Sequence, residues 1–223
     1  MKPSPNAQIT VTENGPYLVS GNLPVAEQHI VTNGEGDSLD WREGKKFPHD
    51  AQFALCRCGH SRNKPFCDGT HAKVNFDGTE TASREPYAKL AEEFPGPTMV
   101  LKDADSLCAF ARFCDVHGRI WNLINQTDTA EGRQWVEREA AYCPSGRLVA
   151  IDRKTGHELE PKLSPSIGLV EDTEKKVSGP LWVRGGIQVI AADGHKYEVR
   201  NRVTLCRCGR SANKPFCDGA HAG

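Results

Sequence analysis

One string, Cys-Arg-Cys-Gly-x-Ser-x-Asn-Lys-Pro-Phe-Cys-Asp-Gly-x-His, occurs twice in this chain, from Cys56 to His71 and from Cys206 to His221. The copies differ at only three of sixteen positions. A chain that repeats itself so closely builds the same local structure twice. Each copy offers C-x-C, a third cysteine nine residues beyond the second, and a histidine four residues after that. The repeat reaches upstream, where Gly15-Pro16-Tyr17-Leu18-Val19-Ser20-Gly21 parallels Gly179-Pro180-Leu181-Trp182-Val183-Arg184-Gly185. Both stretches alternate as strands do. A second strand runs into each motif, ending at Phe53-Ala54-Leu55 in the first copy and covering Tyr197 to Leu205 in the second.

The copies bracket a segment of different texture, so three units are expected, at residues 1–83, 84–165 and 166–223. Within the middle unit, helix-like patterns cover Glu85 to Phe94, Ser106 to Phe113 with Asp105 as a candidate cap, and Ala130 to Tyr142. Arg147 to Asp152 reads as a strand, while Pro161 to Pro165 and Glu171 to Lys176 read as linker. In the first copy, Val31 to Gly44, with Asn33-Gly34-Glu35-Gly36-Asp37-Ser38 inside it, reads as an exposed inserted loop. The expected fold class is α+β, with two small β-rich units and a mixed helix and strand middle. Neither small unit is large enough for a secure core alone, so the two are expected to pair through their Gly-Pro-led strands about a pseudo-twofold axis.

Charge excludes one class of partner. With 28 Lys+Arg against 29 Asp+Glu the net charge is −1, and no overall field draws the chain to nucleic acid or an anionic membrane. The N-terminal stretch Met1 to Gln8 has no apolar signal-peptide core, and nothing approaches the roughly 18 apolar residues of a membrane span. A cytoplasmic chain is therefore expected, whose nine cysteines bind metal rather than pair as disulfides.

Four soft or borderline donors within sixteen residues make a metal site, and the candidates are one zinc ion or a [2Fe–2S] cluster. Structural zinc usually takes C-x2-4-C, whereas C-x-C can place both thiolates on one iron of a cluster and leave the later cysteine and histidine for the other. Gly59, Gly69, Gly209 and Gly219 remove side chains where backbone must approach sulfide, and Pro65 and Pro215 stiffen the turn between ligand pairs. Asp68 and Asp218 are placed to accept local N–H bonds and set the turn that delivers the histidine.

These residues resemble the CDGSH iron–sulfur domain of the mitoNEET family, with Thr70 and Ala220 at the serine position of that name. The resemblance implies two [2Fe–2S] clusters with 3Cys:1His ligation, by Cys56, Cys58, Cys67 and His71 and by Cys206, Cys208, Cys217 and His221. It also implies an internal pseudo-dimer, since the family's animal members pair as homodimers through a β-cap. The chain departs from those members in carrying two motifs and no membrane anchor. In the middle, Cys108 and Cys114 hold the first and third positions of a C-x2-C-x2-C run with Ala111 at the second, and Cys143-Pro144 supplies a C-P ending. These three resemble the divergent mono-cluster ferredoxin-type domain and form a candidate third iron–sulfur site. The competing reading makes Cys108 and Cys114 buried thiols on a helix.

Nothing in the sequence resembles a nucleophile–base pair or a phosphate-cradling loop, so no catalytic residue is assigned and a carrier rather than an enzyme is expected. The leading reading is electron transfer or cluster transfer, with a redox partner or an apo-acceptor protein as the other party. An iron, redox or pH sensor that signals by losing its cluster is the alternative, and a zinc-binding interaction module comes third. A monomer without nucleic-acid or membrane partners completes the expectation.

Overall fold

The computed structural model describes residue 4 and residues 6–223, so part of the polar Met1 to Gln8 stretch, residues 1–3 and 5, lies outside the described residues. The chain opens with β1 (Gln8–Val11), β2 (Tyr17–Ser20), β3 (Val25–Thr32), β4 (Ser38–Lys46) and β5 (Gln52–Leu55), followed by the helical turns α1 (Thr70–Lys73) and α2 (Tyr87–Leu90). The middle continues with β6 (Glu92–Pro95), β7 (Met99–Asp103), α3 (Ile120–Leu123), α4 (Ala130–Tyr142) and β8 (Leu148–Asp152). Four strands complete the chain: β9 (Ser166–Asp172), β10 (Val177–Arg184), β11 (Gln188–Ile190) and β12 (Arg202–Leu205). The architecture is α+β, mostly strand with few helices.

Two sheets combine the ends of the chain, one in the order β11-β1-β2-β5 and the other β12-β10-β9-β3-β4. Neighbours within them run antiparallel except at two junctions. There β1 lies parallel to β11, with Gln8 opposite Gln188, and β3 lies parallel to β9, with Val25 opposite Ile167. Each junction joins an N-terminal strand to a C-terminal one. The Gly-Pro-led strands β2 and β10 sit in different sheets and share no ladder. Both contribute side chains to one core. Alternation in β1 and β2 turns Ile9, Val11, Tyr17 and Val19 inward, and these residues share one buried core with Ile167, Leu169, Leu181, Val183 and Leu205.

Three sequence expectations change. The inserted loop is a hairpin, because Asn33 closes a turn by accepting the N–H groups of Glu35 and Asp37 (2.9 Å each) and β4 then pairs with β3. Its strand character is hidden in sequence because most of β4 faces solvent. Glu171 to Lys176 is the end of β9 and the turn into β10 rather than a linker. Ser106 to Phe113 is not a helix: a 3-10 turn covers Asp105–Leu107, and Phe110 (φ 55°) and Arg112 (φ 62°) then adopt left-handed backbone that no right-handed helix can contain. Glu85 to Phe94 likewise yields only one helical turn before β6 begins.

The middle segment has its own sheet, β6-β7-β8, with α4 packed upon it. Thr129 caps α4 by accepting the Gly132 N–H at 3.0 Å, and Gly132, Val136 and Ala140, four residues apart, form its buried face. Glu139 is also buried, at 2 % exposure; Oε1 accepts the His117 N–H at 3.0 Å, while Oε2 has no partner among the described residues. Burial pushes this carboxyl up from 4.5 to about 7. A carboxyl raised in the fold binds its proton more tightly there than in the unfolded chain, so its destabilising effect is absent below about pH 4.5, grows through the interval and is complete above pH 7. Glu139→Gln is therefore expected to stabilise the protein at pH 8 by on the order of 2 kcal/mol, with the gain vanishing near pH 4.5. Denaturant unfolding of both proteins across that range measures it, and a gain independent of pH would refute the assignment.

Candidate metal centres

Both motifs begin where a strand ends. Cys56 follows β5 and Cys206 follows β12, and each chain then folds back so that Phe66 bridges Leu55 and Phe216 bridges Leu205. The Cys56 N–H donates to Pro65 O (2.8 Å) and the Cys67 N–H to Ala54 O (2.9 Å). In the second copy Cys206 N–H donates to Pro215 O and Cys217 N–H to Thr204 O, at 2.9 Å each. The Lys64–Pro65 and Lys214–Pro215 peptides are cis. Strand ends thus hold the first and third cysteines of each motif side by side.

The turns between them are set by side chains that repeat with the motif. Ser61 Oγ donates to Phe66 O (2.6 Å) and accepts from Asn63 N–H (3.0 Å), and Ser211 does the same for Phe216 (2.7 Å) and Asn213 (3.0 Å). Asp68 accepts the N–H groups of Arg62 (2.9 Å) and Thr70 (3.0 Å), and those bonds, Arg62's foremost, hold its carboxyl well below the usual carboxylate range. Asp218 repeats the pair with Ala212 (2.7 Å) and Ala220 (3.0 Å). The turn that delivers each histidine is therefore built by its aspartate.

The donor atoms come in pairs. Sγ of Cys56 lies 3.8 Å from Sγ of Cys58, and Sγ of Cys67 lies 3.3 Å from Nδ1 of His71. In the second motif Cys206 and Cys208 are 3.7 Å apart, and Cys217 is 3.5 Å from Nδ1 of His221. Among the described residues, no three Cys, His, Asp or Glu side chains gather as one ion would require. Backbone N–H groups point at the sulfurs, from His60 to Cys58 (3.4 Å), Gly69 to Cys67 (3.5 Å) and Gly219 to Cys217 (3.4 Å). Burial raises the Cys58 thiol and pushes Cys217 up to about 12, while the Cys206 thiol, donating to Cys208, lowers Cys208. A metal taking these donors must displace protons.

The first glycine of each motif also lets the two copies approach. Gly59 and Gly209 have φ near +80°, and a Cβ on Gly59 would lie 2.7 Å from Cys208 O, as one on Gly209 would lie 2.6 Å from Cys58 O. The two motifs abut reciprocally through these positions. Gly69 needs its left-handed φ of 82° but faces open space.

Residues not singled out from sequence also build the centres. Arg57, 1 % exposed, donates to Thr12 O (3.1 Å) and Gly78 O. Its counterpart Arg207 donates to Gly179 O (2.5 Å) and Val170 O (2.7 Å) and pairs with Glu171. Each arginine fixes its C-x-C against neighbouring backbone. Tyr17 crosses between copies, its hydroxyl 2.7 Å from Cys206 O as donor. The signal for the arginines was present in the repeat, where both survive between the cysteines; nothing local marked Tyr17.

The middle cysteines are partly buried and lie on turns rather than on one helix: Cys108 after the first 3-10 turn, Cys114 in a second (Phe113–Asp115), and Cys143 at the end of α4. Burial pushes the Cys114 thiol well above its usual range, and Asp115, Cys143 and Cys108 add to the shift in that order. The three are neighbours, yet they do not close on a single point.

No curated protein matches the chain. The family model described as the iron-binding zinc finger of CDGSH type matches both ends, over residues 14–72 and 178–222. Each end of the chain therefore carries a CDGSH-type iron-binding domain, two copies in tandem.

Proposed function

We propose that each motif holds one [2Fe–2S] cluster through three cysteines and one histidine, and that the chain carries electrons, or the clusters themselves, between partner proteins. The pairing of donors carries this reading. Two thiolates on a tetrahedral metal about 2.3 Å away lie about 3.8 Å apart, and a thiolate and an imidazole nitrogen about 3.5 Å. The observed 3.8 and 3.7 Å, and 3.3 and 3.5 Å, match two metals per motif, while a single zinc would gather all four donors at one point. A cluster so held takes up and returns one electron. The chain's own residues supply the thiolates and imidazoles, aim N–H groups at the sulfurs and keep the Cys56 and Cys206 ends dry.

The parallel junctions β1:β11 and β3:β9, the shared core and the reciprocal Gly59 and Gly209 contacts support an internal pseudo-dimer, and residues 84–165 form a middle unit with its own sheet packed against it. A cytoplasmic monomer that meets a redox partner or an apo-acceptor follows as part of the same proposal; among the described residues no helix is long and apolar enough to cross a membrane. The test is a metal and acid-labile sulfide count on aerobically purified protein. About four irons and four sulfides per chain, with red-brown colour, are expected. Colourless protein containing only zinc, unchanged by reconstitution, would sink the reading, and a count well above four would add a cluster at Cys108, Cys114 and Cys143.

A further inference from the structure

The two motifs are nearly identical in sequence but not in surroundings. Around the first, Asp68 and Gly69 are exposed, Cys67 and His71 are partly exposed, and a Cβ on Gly69 would meet nothing within 4 Å. Around the second, Cys217 is 2 % and His221 9 % exposed, and a Cβ on Gly219 would lie 3.3 Å from Cys108 O and 3.4 Å from Phe110 Cβ. The middle segment covers the histidine end of one site and leaves the other open.

The cover is the stretch from Cys108 to Phe113, and it is held in a costly shape. Phe110 and Arg112 both have positive φ, which a bulky residue adopts only when its surroundings impose it. Two contacts do so. Arg112 pairs with buried Asp172 of β9 at 2.5 Å, and Phe113 packs against Trp41 (4.8 Å between centroids) and Tyr142 (5.4 Å). Phe110 itself stays 48 % exposed above Gly219.

We infer that the two sites divide the work: the open first site exchanges its cluster with a thiol-bearing acceptor, and the covered second site keeps its own. This rests on the cluster reading above. In exchange, incoming donor atoms replace three thiolates and one imidazole on iron, iron and sulfide move together, and no electron changes hands. The incoming thiols give up the protons that the vacated thiolates take, and the imidazole leaves neutral. An acceptor reaches Cys67 and His71 directly, whereas the Cys217 and His221 pair is reached only after the Cys108 to Phe113 stretch opens.

The experiment challenges purified, cluster-loaded full-length protein with excess EDTA at neutral pH and traps each released cysteine with iodoacetamide for peptide mass spectrometry. Cys56, Cys58 and Cys67 are expected to be alkylated at least about tenfold faster than Cys206, Cys208 and Cys217, with absorbance falling in two phases. Phe110→Gly, which removes the covering ring and suits the left-handed backbone, should speed the slow phase at least about threefold and leave the fast phase alone. Equal alkylation of both motifs, or a slow phase indifferent to Phe110→Gly, would overturn the inference. Because the starting protein is first assayed for iron and sulfide, failure of the cluster reading is seen separately, as a chain that holds neither.

Discussion

Gly59→Ala is expected to lower the melting temperature by roughly 5–15 °C and to reduce iron retention at both motifs, whereas Gly69→Ala, at the equivalent φ, should cost about half as much or less. Both glycines have φ 82°. A Cβ in that conformation costs about 1–2 kcal/mol in either place. Only at Gly59 does the new atom also collide, lying 2.7 Å from Cys208 O, 3.0 Å from its carbonyl carbon and 3.1 Å from its Cα, all backbone that cannot rotate away. Overpacking of this kind adds about 1–3 kcal/mol. Because the atoms struck belong to the second motif, a change in the first is felt by the second. Thermal unfolding followed by circular dichroism, with iron content before and after, measures both effects, and equal losses in the two variants would show that the motifs do not press on each other.

Arg202→Met should destabilise the chain by about 3–5 kcal/mol, a fall in melting temperature on the order of 10 °C. Arg202 is 1 % exposed and sits on β12, four residues before Cys206. Its guanidinium donates to Cys143 O (2.7 Å), Ala140 O (2.8 Å) and Leu148 O (3.1 Å) and pairs with Glu160. It therefore joins the strand that carries the second ligand set to the end of α4 and to β8. Methionine keeps much of the volume but leaves the Glu160 carboxylate without its cation and takes one donor from each of three carbonyls. Adding Glu160→Gln should recover part of the loss, since the uncompensated charge is then gone. A single variant within about 2 °C of the parent would show that the middle segment and β12 are held together by other means.

The residue types that make the metal centres were legible because all four donors of each set lie within sixteen residues, and copying the motif twice marked Arg57 and Arg207 along with the cysteines. Helix α4 was legible for a similar reason: Val136 and Ala140 recur at the helical period over a continuous stretch, and the helix ends where Cys143-Pro144 begins. Local information is enough for features whose contacts are local.

Partner choice and cover were decided by contacts far apart in sequence. Two equivalent copies leave open which strand of one completes a sheet of the other, and only the packed core places β1 against β11 and β3 against β9. The Cys108 to Phe113 stretch has helical periodicity, yet the Arg112–Asp172 pair and the Trp41, Phe113 and Tyr142 cluster pull it out of a helix and over Gly219. Propensity in so short a stretch is worth tenths of a kcal/mol per residue, less than a buried ion pair and an aromatic cluster can impose. Sequence thus specified two nearly identical ligand motifs, and tertiary packing alone left Cys67 and His71 partly exposed while it covered Cys217 and His221.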